Sequence, residues 1–78
     1  MKTFGYAKKK ISPQGLLEMR EVTFTGSAAS IREVAKFLLA AADEMETRGH
    51  HFSHMHIGER CLGWLEKWPD IVVSRSSQ

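Results

Sequence analysis

The sequence predicts an α+β domain in the order β-β-α-β-β, a mostly antiparallel sheet with one amphipathic helix packed on it. Three observations predict it. Two strand-like stretches flank a Pro/Gly turn near the N-terminus. A single apolar stripe recurs at helical spacing up to residue 48. Two short segments, 52–57 and 70–75, follow with strand character.

The N-terminal hairpin is expected over residues 3–25, with strands of about 3–11 and 16–25. In the connecting "SPQG", Pro13 presets φ and Gly15 is free to take a positive φ, as a tight turn needs. The second strand changes phase: Leu17 and Met19 alternate in one register, Val22 and Phe24 in the other. Either a bulge near Arg20 or Glu21 resets the register or both faces are partly covered, and the bulge is the preferred reading. The helix is expected over 31–48. Ser30 and Glu33 have the spacing of a capping box, and Ile31, Val34, Ala35, Leu38, Ala42 and Met45 form the stripe. Phe37 and Leu39 flank the stripe, and Gly49 supplies the stop. In "HFSHMHIGE", Phe52, His54 and His56 point one way; Ser53, Met55 and Ile57 point the other and look like the buried set. "RCLGWLEKW" reads as loop, turn or short strand, and Pro69 bars a long helix across it. "DIVVSR" is the last strand, and the "SSQ" tail is expected to fray.

At 78 residues the chain makes one domain. So small a domain buries only about 60–65% of its unfolded surface, so homodimerisation is a live option. The net charge of +2 does not by itself argue for nucleic acid. One cysteine, Cys61, allows no internal disulfide. The start "MKTFGYAKKK" has no apolar h-region, and "FLLAAA" is far short of a membrane span. The expectation is a cytoplasmic protein with no membrane partner.

Four histidines in seven positions, residues 50–56, raise the question of a metal. His54 and His56 at i and i+2 can share a zinc, but nothing in the spacing of Cys61 or Asp70 supplies the remaining ligands. Neither metal nor cofactor is expected. No nucleophile elbow, phosphate loop or diagnostic triad spacing occurs, so the chain is not expected to be an enzyme. Cys61 reads as a small hydrophobe. Trp64 and Trp68, four apart, divide into a surface candidate and a core candidate, in that order. Asp43, Glu44 and Glu46 crowd the C-terminal half of the helix, where the dipole disfavours anions, so they are either a solvated face or an acidic contact patch. Two binding readings follow. The first is a non-enzymatic protein-binding module using His54, His56, Trp64, Asp43, Glu44 and Glu46. The alternative is a small nucleic-acid-binding domain using Phe4 and Tyr6 with Lys8, Lys9 and Lys10, of which Lys8 and Lys10 share a strand face.

The segments "FTGSAASIREVAKFLLAAADEM", "HFSHMHIGE" and "WPDIVVSR" resemble the small immunity proteins of bacterial polymorphic toxin systems, the group numbered thirty-two. The likeness runs over roughly residues 22 to 75. It rests on the Gly26–Ser27 turn, the helix with Leu38 and Leu39, the His54/His56 strand, and Asp70 to Val73. The resemblance implies an antitoxin that neutralises a toxin by covering its surface, without naming that toxin.

Overall fold

The computed structural model describes residues 1–11 and 16–76, the side chains of 8–11 excepted. The turn with Pro13 and Gly15 and the last two residues of the tail lie outside the described residues. The elements are β1 (Lys2–Ile11), β2 (Leu17–Thr25), α1 (Ala28–Arg48), β3 (His54–His56) and β4 (Val72–Ser74), with 3₁₀ turns at Gly49–His51 and Ile57–Glu59. The protein is thus a small α+β fold in β-β-α-β-β order. Its strands divide between two antiparallel pairs, β1 with β2 and β3 with β4, where the sequence pattern suggests one sheet.

The bulge forms where the phase of the second strand demands it. The register steps from Tyr6↔Glu21 to Ala7↔Met19, which leaves Arg20 as the extra residue. That residue turns the strand by one position, so Leu17 and Met19 join Val22 and Phe24 on one face with Gly5. The geometry agrees on both faces. The Arg20 guanidinium lies 5.9 Å from the Tyr6 ring, on the side with Phe4. A Cβ on Gly5 would meet the Met19 methyl and the Glu21 carbonyl oxygen, so only glycine fits there.

Helix α1 starts three residues earlier than the Ser30 box implies. Ser27 is the N-cap: its Oγ accepts the Ser30 amide at 3.1 Å. Ser30, buried, donates its own hydroxyl to the Ser27 carbonyl at 3.0 Å, so it serves the first turn rather than capping it. At the far end Gly49 takes φ 56° and its amide closes on the Met45 carbonyl, which also receives Arg75 Nη1 at 3.3 Å.

The buried face of α1 is Ser30, Val34, Phe37 and Ala41, one position round from the expected stripe. Of that stripe Val34 is buried and Met45 half-buried, whereas Ile31, Ala35, Leu38 and Ala42 are exposed. The core joins Val34, Phe37 and Ala41 to Phe52, Met55, Ile57 and Cys61, with Met1, Met45, Trp64, Ile71 and Val73 packed at its margin. Phe52 therefore points inward, against the expected alternation. The strand runs only from His54 to His56, so Phe52 precedes it, at the exit of the Gly49–His51 turn, free of the strand's period. Phe52 and Ile57 are the largest fully buried side chains, each contributing about 1.5–3 kcal/mol. No residue of β2 is buried and none of the hairpin belongs to this core, although the start of β1, Lys2 to Phe4, lines a depression with Lys67, Trp68 and Pro69. No helix among the described residues is long and apolar enough to cross a membrane.

Candidate interaction surface

The segment from Ile57 to Ile71 is neither helix nor strand beyond its first turn, yet it is held at both ends and in the middle. Ile57 N–H donates to the Ile71 carbonyl at 2.9 Å, which extends the β3–β4 pairing by one step. Cys61 N–H bonds the Ile57 carbonyl, Trp64 N–H the Cys61 carbonyl, and Trp68 N–H the Leu65 carbonyl. These successive turns bring the two tryptophans edge to face, ring centroids 4.9 Å apart, without a helix between them. Trp64 packs against the core and its indole N–H donates to the Pro69 carbonyl at 3.0 Å. The expected roles are therefore exchanged: Trp64 anchors the segment and Trp68 stands at its rim. Trp64 takes the core role because its amide bonds the carbonyl of buried Cys61, whereas the Trp68 amide bonds the carbonyl of exposed Leu65.

Trp64 and Trp68 line an open cleft of about 520 Å³ with Ser27, Glu33, Arg60 and Leu62, against the first turns of α1. Leu62 is fully exposed beside it. Buried Cys61 forms part of the floor, its thiol 3.5 Å from a Glu33 carboxylate oxygen. Arg60 connects this cleft to the acidic end of α1, donating to Glu44 at 2.6 Å. Glu44 also lies 3.8 Å from Arg48, so its charge is answered twice inside the chain. Asp43 shares a shallow depression with Glu44, Thr47 and Arg60. Glu46, two residues on, projects about 200° round the helix from Glu44. The three acids thus do not form one patch: Glu44 is a salt-bridge partner, Asp43 sits beside it, and Glu46 stands apart.

His54 and His56 lie on the outward side of β3, while Met55 between them pairs with Val73 and enters the core. Their rings meet edge to face at 5.2 Å. His56 Nδ1 is 2.6 Å from Asp70 Oδ2, across the mouth of the irregular segment, and His54 Nδ1 is 3.1 Å from the Ser53 hydroxyl. Among the described residues no three His, Cys, Asp or Glu side chains converge as a metal site would require. Asp70 is a partner of His56 and Cys61 faces Glu33 instead. Neither histidine lines the tryptophan cleft.

On the hairpin, Phe4 and Tyr6 are exposed on one face, 58% and 62% respectively. The side chains of Lys8 and Lys10 lie outside the described residues. Sequence spacing did not reveal Trp68, Arg60 and Leu62 as cleft residues, because a chain of turns carries no period to read. The one available signal was the density of large side chains in "RCLGWLEKW".

The chain matches no family model, no curated protein and no solved structure.

Proposed function

We propose that the chain is a non-enzymatic protein-binding module, an immunity protein that neutralises a bacterial toxin by covering part of its surface. The binding class is supported by one observation above the others. Trp64 and Trp68 form a half-exposed aromatic pair at the mouth of an open cleft, flanked by Arg60 and the fully exposed Leu62. Tryptophan and arginine are the residues that most often dominate binding energy at protein interfaces, and a rigid, partly packed ring loses little entropy on docking. Asp43 adds a polar group beside Arg60, and the His54/His56 edge of β3 offers a separate polar contact outside the cleft. The toxin as partner comes from the resemblance in residues 22 to 75. Self-association belongs to the same chemistry, because uncovered apolar surface remains elsewhere on the chain.

Co-expression with the product of the gene directly upstream tests the reading. The expected result is a one-to-one complex that restores growth, with Trp68→Ala weakening binding at least ~10-fold, as a rim aromatic of an interface does. A purified pair that shows no binding, or binding indifferent to Trp68→Ala and to His54→Ala with His56→Ala, refutes it.

A second reading, a nucleic-acid-binding domain, is favoured by the exposed Phe4 and Tyr6 on one hairpin face, with Arg20 over Tyr6. Its test is titration with a single-stranded oligonucleotide across a salt series. Affinity that falls steeply with salt supports it, and no binding at low salt removes it.

A further inference from the structure

Helix α1 carries more apolar surface than its own fold uses. One position round from the buried face, Ile31, Ala35, Leu38 and Ala42 make a second stripe at spacings of four, three and four, all of them exposed. Leu39 lies beside it at 68% exposure. The hairpin repeats the pattern. Its bulge gathers Leu17, Met19, Val22 and Phe24 on one face, and all four are exposed. A two-stranded hairpin alone is marginal in water, so this face needs a cover that the described part of the chain does not provide.

The surface area says how large the cover is. The chain exposes 6348 Å². A compact monomer of its 8.8 kDa mass would expose about 4,800 Å². The excess, about 1,500 Å², exceeds the ~800 Å² that each partner hides in a standard interface and suits a stable dimer. The shape agrees: the extents are 33 × 32 × 18 Å and the radius of gyration is 13.6 Å, against about 11.5 Å for a compact chain of this length.

We infer that a second copy of this chain covers both faces, the Leu17–Met19–Val22–Phe24 face of each hairpin lying on the Ile31–Ala35–Leu38–Ala42 stripe of the other copy's helix. The dimensions fit. The helical stripe runs about 16 Å and the hairpin face about 24 Å, so one spans the other. A two-fold axis satisfies both faces at once, since each copy supplies one of each, and the contact closes. The Phe4–Tyr6 face of the hairpin and the tryptophan cleft stay free for other partners. The inference rests on the reading of the chain as a protein-binding module but uses different residues, so the two fail separately.

Sedimentation velocity on the whole chain at micromolar concentration tests it. The expected mass is twice 8.8 kDa. Leu38→Glu and Val22→Lys are each expected to raise the dissociation constant on the order of 100-fold or more, with helical circular dichroism retained, because each places a charge in an apolar contact. If either variant fails to fold, cross-linking decides. In a Cys61→Ala background, chains bearing Val22→Cys mixed with chains bearing Leu38→Cys should form a mixed disulfide on mild oxidation. A monomeric parent overturns the inference. So does a dimer that survives both charge variants, or one that gives no mixed disulfide. Trp68→Ala is expected to leave the dimer mass unchanged, so toxin binding that persists in Trp68→Ala with the dimer intact counts against the cleft alone.

Discussion

Replacing Phe37 by alanine is the sharpest test of which side of α1 holds the fold together. Phe37 is 3% exposed, at the centre of the Val34–Ala41 face, and shares its core with Phe52, Met55 and Ile57. Removing a ring so enclosed loses its transfer free energy and leaves a cavity, about 3–5 kcal/mol together. A domain of this length holds on the order of 4–12 kcal/mol, so the variant loses a large share of its stability. At about 1 kcal/mol per molar urea, the midpoint should fall by ~3 M or more, or the folded baseline should vanish. Leu38, next along the chain, is 43% exposed, and truncating it should cost only about 1 kcal/mol in the monomer. Urea unfolding followed by circular dichroism, at protein concentrations too low for self-association, compares the two. If Leu38→Ala costs as much as Phe37→Ala there, the buried face has been assigned wrongly.

Ser27→Ala should destabilise α1 by about 1 kcal/mol through loss of the Ser30 amide bond, measured by the same unfolding curves; an unchanged midpoint would mean the helix is capped elsewhere. Gly5→Ala should disturb the hairpin, since the new methyl meets a backbone carbonyl as well as the Met19 methyl; amide exchange in β1 and β2 should quicken, and parent-like protection would count against the drawn register. Trp64→Ala should cost about 2 kcal/mol in thermal unfolding while Trp68→Ala costs under about 1, because only Trp64 both packs on the core and holds the Pro69 carbonyl; equal costs would return the two rings to equivalent roles. Arg60→Ala, whose pairing with Glu44 is largely solvent-exposed, should change stability by no more than about 1 kcal/mol; a larger loss would show the pair is shielded from water.

Local signals were legible wherever the chain has a period or a stop. The hairpin, the break in phase at Arg20, the helix and its end at Gly49 all follow from spacing and from the backbone freedom of particular residues. The inward Met55 and Ile57 and the outward His54 and His56 follow from strand alternation. Tertiary packing decided the rest. Helix positions 30, 34, 37 and 41 and positions 31, 35, 38 and 42 are neighbouring rows of one broad apolar arc, and periodicity does not choose between adjacent rows. The bulk of Phe37 facing Phe52 and Ile57 chose, and left the Leu38 row outside. Ser27 took the cap from Ser30 because its Oγ accepts the Ser30 amide while the Ser30 hydroxyl donates to the Ser27 carbonyl. The cleft around Trp64 and Trp68 depends on turns joining residues three and four apart and on the Ile57–Ile71 contact, a closure fixed by distant partners rather than by local pattern.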